Sequence, residues 1–332
     1  MTTDPRGGGP VPDRDWDRAV GLVSSADEVA LACHISPDAD ALGSMLAVGM
    51  ALRAGGKRVT ASFGERRFRV PRLLCFLPGQ DLLVEPGAYP ASPELMMTFD
   101  VPIADRLGVL SGNADKAREL IVVDHHASNT GFGTLNLVDP GAAATAVLAE
   151  DLLDRLGLPI DREIATCLYA GLVTDTGSFK HSSTTPEAHA MAARLLATGL
   201  NPEEIARELW DRSPFAYLKV LGAVLDRVVL EPAAGRGLVW TFVTRADRAS
   251  YGLPYDEVEG IIDVVRRTDE ADVAVVLKED DDGAWQVSTR SKGEVDVARV
   301  CAALGGGGHA KAAGFTSHLP VEQTMARFRA LL

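Results

Sequence analysis

The chain has 332 residues, 46% hydrophobic and 24% charged, a globular composition long enough for two domains. Its net charge of -13 argues against the broad basic face that holds long nucleic acid, yet leaves room for small phosphorylated substrates held by metals and a few local donors. No apolar stretch is long and uncharged enough to span a bilayer, and Cys33, Cys75, Cys167 and Cys301 form no CxxC pair, which fits free thiols in a reducing cytoplasm.

Residues 1–13 are rich in Gly and Pro and lack an apolar core, which predicts a disordered lead-in rather than a signal peptide or anchor. A short helix is expected over Trp16–Val23. The apolar run Val29–Cys33 predicts a buried strand, and it ends in a loop carrying His34, Asp38 and Asp40. Pro37 keeps Ser36 out of helix. A helix over Ala41–Arg53, stopped by Gly55-Gly56, and a strand over Arg58–Phe63 complete a βαβ unit and imply a parallel sheet. Residues 66–93 read as loops with a short helix around Leu73. Leu95–Phe99 is a further strand and ends on Asp100. Ile121–Val123 is another and ends on Asp124-His125-His126. Ligands of open α/β sheets bind beyond the carboxyl ends of the strands, where these residues lie.

Helices are expected over Ala142–Leu156 and after Asp161, which caps the second; that helix runs into Asp175. The helix dipole disfavours a carboxylate there by roughly 0.3–1 kcal/mol, and a bound cation would reverse that penalty. Pro186–Gly199 and Pro202–Trp210 predict two more helices, and Pro214–Val229 a linker helix. A second domain follows the turn-rich Glu231–Gly237: strand Leu238–Val243, helix Val258–Arg267, a hairpin of Ala271–Glu279 and Ala284–Arg290, helix Val297–Leu304 and a closing helix Val321–Leu332. The expected fold class is α/β, with a parallel-sheet domain over 14–213 carrying helices on both faces, a linker helix over 214–230, and a smaller α/β domain over 231–332.

Two groups of residues carry chemistry. His34, Asp38, Asp40, Asp100, His125 and Asp175, with His126 alongside, offer more nitrogen and hard-oxygen donors than one ion needs. They suit two divalent metals of the manganese, iron or zinc type, sharing a bridging carboxylate. Such a pair, roughly 3.5–4 Å apart, lowers the pKa of a bridging water and clamps both oxygens of an in-line phosphoryl displacement. The bland alternative, scattered loop acids with Asp38 as a helix cap, is credible for one residue and poor for the set. The second group is Arg290-Ser291-Lys292 with the run Gly305 to His309. Successive glycines let backbone N–H groups converge on a phosphate as an anion nest, Arg290 can grip one bidentately, and His309 can add a donor.

Asp124-His125-His126, the opening His34, Asp38 and Asp40, and the Gly305 to Gly314 segment together resemble the DHH phosphoesterase family with its C-terminal DHH-associated domain. The short two-domain layout is similar to the NrnA-type oligoribonuclease branch. The resemblance implies that His34, Asp38 and Asp100 bind one manganese, and that Asp40, Asp100, His125 and Asp175 bind the other, with Asp100 bridging. Asp105 is the alternative bridging acid, because Val101-Pro102 departs from the usual pattern after Asp100. Asp124 would orient an imidazole, and His126 would act on the scissile phosphate or the leaving group. Arg290, Ser291, the backbone of Gly306, Gly307 and Gly308, and His309 would hold the rest of the substrate. The implied activity is cleavage of very short RNA oligonucleotides, from dinucleotides to about 5-mers, to 5′-mononucleotides. Phosphatase action on 3′-phosphoadenosine 5′-phosphate comes with it. A soluble cyclic di-AMP or linear dinucleotide phosphodiesterase is the alternative. The implied partners are short RNA and nucleotide phosphates, with no long duplex and no membrane. Relatives of this kind are commonly homodimers, though no residue here establishes one.

Overall fold

The computed structural model describes residues 9–332, which form two compact units, one ending at Asp211 and the other spanning Arg212–Leu332. The lead-in expected over residues 1–13 lies outside the described residues up to residue 8, and the first helix already starts at Asp13.

In the first unit the chain runs through α1 (Asp13–Ser25), β1 (Glu28–Cys33), α2 (Ala39–Ala54), β2 (Arg58–Phe63), β3 (Leu95–Phe99), α3 (Ser111–Ala114), β4 (Glu119–Asp124) and β5 (Leu135–Val138). Helices α4 (Thr145–Arg155), α5 (Arg162–Asp175), α6 (Pro186–Leu196) and α7 (Pro202–Trp210) follow. The strands form one parallel sheet in the order β2-β1-β3-β4-β5. Strand β5 escaped the sequence reading because Leu135-Asn136-Leu137-Val138 is too short to show a period, and it lies at the sheet edge.

Side chains alternate across the sheet. Val29, Leu31, Cys33, Met97, Phe99, Ile121 and Val123 face the large core built with α1, α2, α4, α5 and α6. Ala30, Ala32, Met96, Leu120 and Val122 face the other side, covered by Tyr89, Leu107, Leu110 and Ala114. That cover is a 3₁₀ segment (Ala104–Leu110) and the one-turn α3, so full-length helices pack on one face only.

Helix α2 is buried all along from Ala39 to Leu52, which its sequence anticipates: Ala, Leu, Met, Val and Gly surround the whole helix. Its closest neighbour is α5. A Cβ at Gly43 would lie 2.5 Å from the Cys167 carbonyl oxygen, so glycine is what lets the two backbones approach.

The second unit runs through α8 (Phe215–Leu225), β6 (Val229–Glu231), β7 (Leu238–Val243), α9 (Arg245–Ala249), α10 (Ile261–Val265), β8 (Val273–Glu279), β9 (Trp285–Ser291), α11 (Val297–Ala303), β10 (Gly307–His309), β11 (Ala312–Ser317) and α12 (Val321–Arg329). Its sheet has the order β10-β11-β9-β8-β7-β6 and is antiparallel except for the β7–β8 pair. One face packs Trp240, Val275 and Phe315 on Val300 and Phe328 from α11 and α12. The other packs Val239 and Val276 on Val220 and Val224 of α8 and on Ile261 of α10. The segment expected as a linker helix therefore docks by its apolar stripe on this second sheet, and its last residue, Val229, opens β6 instead of continuing the helix.

Candidate metal centre

The carboxyl ends of β1, β3 and β4 deliver the candidate ligands to one place. His34 follows β1, Asp100 follows β3, and His125 follows β4, while α2 brings Asp40 and α5 brings Asp175. Among the groups whose donor atoms lie within 4.8 Å of one another are His34, Asp38 and Asp100; Asp40, His125 and Asp175; and Asp100, Asp124 and His126. Asp100 belongs to the group of His34 and also faces His125. Its Oδ2 is 3.4 Å from His34 Nε2 and its Oδ1 is 3.6 Å from His125 Nε2. Asp100 sits at φ +62, a left-handed conformation that costs a non-glycine residue roughly 1–3 kcal/mol and is found where a functional site over-determines the backbone.

Each imidazole is oriented from behind. His34 Nδ1 lies 2.7 Å from the Ile35 carbonyl, with Arg106 Nη2 at 3.2 Å, and His125 Nδ1 lies 3.2 Å from the Ala142 carbonyl, so Nδ1 is engaged behind each ring and Nε2 is presented to the carboxylates. Asp38 does two jobs. Oδ1 accepts from the N–H groups of Asp40 and Ala41 and caps α2, while Oδ2 lies 3.7 Å from His34 Nε2. The helix-cap and ligand readings of this residue are therefore compatible.

Asp40 is 1% exposed, and its carboxylate accepts from the N–H groups of Thr145 (2.6 Å) and Ala146 (2.9 Å) at the start of α4. The Thr145 hydroxyl donates to Asp100 Oδ1 at 2.8 Å. Asp124 is fully buried, and its oxygens take the His125 N–H (2.9 Å), the Asn129 amide (2.6 Å) and His126 Nδ1 (2.7 Å). Thr145 and Asn129 were missed by sequence reasoning. Their only signal is a hydroxyl or amide near a ligand segment, which any loop carries.

Burial and mutual repulsion push the carboxyl of Asp40 well above the usual range. Burial likewise lifts Asp175 to about 7. Burial opposes charge on His34 and His125, but the carboxylates of Asp100 and Asp38 beside His34, and the charges of Asp175, Asp100 and Asp40 around His125, outweigh it and raise them to about 10 and about 9. The cations facing these buried acids are imidazoles, which must give up their protons to ligate. The donor set fits divalent metal ions: hard oxygens, two Nε2 atoms and an excess of buried negative charge. Asp105 is exposed and belongs to none of these groups.

Residues 28–172 match the DHH family N-terminal domain, and residues 237–332 match the DHHA1 domain. The bifunctional oligoribonuclease and PAP phosphatase NrnA of Thermus thermophilus is 34% identical over 314 residues, spanning 93% of this chain and 91% of the relative. The chain belongs to the DHH family. Its fold is shared by an exopolyphosphatase-related protein from Bacteroides fragilis, at TM-score 0.88 and 23% identity, covering 100% of this chain and 97% of that one. It is also shared by RecJ from Thermus thermophilus, solved in complex with Mn2+, at TM-score 0.56 and 17% identity over 98% of this chain and 55% of RecJ.

In the DHHA1 domain the second group of residues looks different from a flexible nest. Gly305, at φ +84, and Gly306 end α11: their N–H groups donate to the carbonyls of Ala302 (3.1 Å) and Cys301 (2.8 Å), a Schellman cap. Gly307 to His309 then pair antiparallel with Ala312–Gly314. The Gly306 N–H is thus engaged in the cap and is no substrate donor, while Gly307, Gly308 and His309 are exposed on an edge strand. The Ser291 hydroxyl donates to Asp272 at 3.1 Å and accepts from the Gly293 N–H at 2.9 Å, which ties it to the loop after β9. Arg290, on β9, is half-buried with one guanidinium N–H on the Thr289 carbonyl at 3.0 Å.

Proposed function

We propose that this DHH-family phosphoesterase is a two-metal, manganese-dependent phosphodiesterase that degrades very short RNA oligonucleotides to 5′-mononucleotides and removes phosphate from 3′-phosphoadenosine 5′-phosphate. The observation that carries the chemistry is Asp100, whose two oxygens face two separate donor groups. The substrate class is supported by the NrnA relative, matched over nearly its whole length. That relative's name speaks for linear substrates and against the cyclic di-AMP alternative.

His34, Asp38 and Asp100 would hold one ion, and Asp40, Asp100, His125 and Asp175 the other. Bound there, divalent ions polarise phosphoryl oxygens and supply hydroxide near neutral pH. The protein's own groups do the rest. Asp124, aligned by Asn129, holds His126 by Nδ1 and turns its ring toward Asp100. Burial opposes charge on His126, but the hydrogen bond it donates to Asp124 raises its pKa, so it retains a proton to give to the leaving oxygen. In the DHHA1 domain, Arg290 grips a phosphate that is not cut, and Gly307, Gly308 and His309 line the same contact.

The test is a hydrolysis panel on chelator-treated protein with and without manganese: linear diadenylate, a 5-mer and a 24-mer RNA, 3′-phosphoadenosine 5′-phosphate, cyclic di-AMP and pyrophosphate. Fast manganese-dependent release of mononucleotide from the dimer, with weak action on the 24-mer, is the expected result. Cyclic di-AMP cut as fast as the linear dimer would overturn the substrate assignment. A second expectation concerns Arg290→Ala, which should raise KM for the dimer roughly tenfold or more while changing kcat less, because it removes one charge-assisted contact away from the metals. An unchanged KM would take Arg290 out of the site.

A further inference from the structure

The DHH domain has an open cavity beside the metal centre that the chemistry above does not use. It measures about 550 Å³ and is lined by Ile35, Glu65, Arg66, Arg67 and Val109 over the glycines Gly64 and Gly108. Ile35 directly follows the candidate ligand His34, so one wall belongs to the ligand loop itself.

The floor is built from backbone. The Ile35 N–H donates to the Arg106 carbonyl at 2.8 Å, and the Val109 N–H donates to the Gly64 carbonyl at 3.0 Å. A Cβ at Gly64 would lie 1.9 Å from the Leu107 carbonyl oxygen, and one at Gly108, whose φ is +57, would lie 2.4 Å from the Gly64 carbonyl oxygen. Only glycine lets the two loops touch there. Glu65 ties the same loop to the metal centre: its Oε1 accepts from the Ser36 N–H at 2.6 Å and from the Ser36 hydroxyl at 2.9 Å. The loop that carries Arg66 is thereby held against the loop that carries His34 and Asp38.

The charge of this loop runs against the rest of the protein. The chain carries -13 overall, yet Arg66, Arg67, Arg69 and Arg72 fall within one short segment after β2. Arg66 and Arg67 are exposed, and both line the cavity. A second hollow of about 200 Å³ shares Glu65, Arg66 and Val109 with the first and is walled by Glu85 and by Phe68, which stacks on Phe63 at 4.4 Å between ring centroids. Paired guanidinium groups recognise phosphate bidentately, and apolar walls recognise a base or sugar. A volume of this order holds one ligand of nucleotide size.

We propose that this cavity is a nucleotide subsite for the part of the substrate beyond the scissile bond. Arg66 and Arg67 hold its phosphate, and Ile35 and Val109 form the wall against which its nucleoside lies. The link to catalysis rests on the phosphodiesterase reading above; the binding of a nucleoside monophosphate to the cavity does not.

The experiment compares the double variant Arg66→Ala/Arg67→Ala with Arg69→Ala, which removes a neighbouring charge that does not line the cavity. Two quantities are read on full-length protein: kcat/KM for diadenylate relative to bis(p-nitrophenyl) phosphate, and the Kd for adenosine 5′-monophosphate by calorimetry. The double variant should lower the kcat/KM ratio roughly 10- to 100-fold and weaken monophosphate binding by a similar factor, while Arg69→Ala leaves both near wild type. Equal loss on both substrates, equal loss in Arg69→Ala, or no loss would overturn the subsite. If the wild type does not cut diadenylate, the phosphodiesterase reading fails, and the Kd comparison alone then decides the subsite.

Discussion

Asp100→Asn should lower phosphodiesterase turnover by roughly a thousandfold or more, the scale seen when one preorganised electrostatic group is removed from a reacting centre. The substitution keeps size and shape. Asparagine still presents an oxygen to the Thr145 hydroxyl, which now donates to Asp100 Oδ1 at 2.8 Å. It loses the charge and the second oxygen, and with them a group that faces both His34 and His125 through separate atoms. Metal content should fall by at least one ion per chain. The metal-free protein should melt no lower than wild type, because one buried negative charge has left a cluster in which Asp40 and Asp175 already resist ionisation. What disappears is the stabilisation that bound metal adds to the native state. Asp105→Asn is the matched control and should behave as wild type, since Asp105 is exposed and outside the donor groups. Wild-type turnover in Asp100→Asn would sink the shared-carboxylate assignment.

Gly171→Ala should weaken manganese binding roughly 10- to 100-fold without replacing a ligand, the usual scale for disturbing a group that supports one. A Cβ at Gly171 would lie 2.7 Å from Asp40 Oδ1 and 3.0 Å from Asp40 Cα. Asp40 has little freedom to yield, because its oxygens are held by the Thr145 and Ala146 N–H groups. The added methyl therefore displaces either the carboxylate or the α2–α5 contact, and overpacking of this kind costs about 1–3 kcal/mol. Metal titration followed by calorimetry reads the first effect and thermal melting of the metal-free protein reads the second. Unchanged affinity with lowered stability would show that α5 retreats and leaves Asp40 where it is.

The ligands were legible in the sequence for a physical reason. A buried strand must be apolar along its length, so the polar residue that ends it stands out, as His34, Asp100 and Asp124 do after Cys33, Phe99 and Val123. The strand–helix–strand spacing of these apolar runs likewise implied the parallel sheet. The edge strand β5 was hidden because four residues carry no period, and the docking of α8 on the second sheet was hidden because an apolar stripe does not say what covers it.

Much around the ligands depends on residues far apart in the chain. Asp40 meets Thr145 across 105 positions, and Asp100 meets it across 45. The glycine run shows the same limit from the other side. Its sequence is open to an anion nest or a helix cap, and the position of Cys301 and Ala302 at the end of α11 commits Gly305 and Gly306 to the cap. The arginines at 66 and 67 read as a charged loop until the Gly64–Gly108 contact turns that loop into a cavity wall. Local pattern alone thus determined which residues leave the strand ends, because burial constrains neighbours along the chain. Tertiary packing alone decided which N–H groups hold each carboxylate and which glycines are already engaged, because hydrogen bonds and close contacts are settled by elements that meet only in the fold.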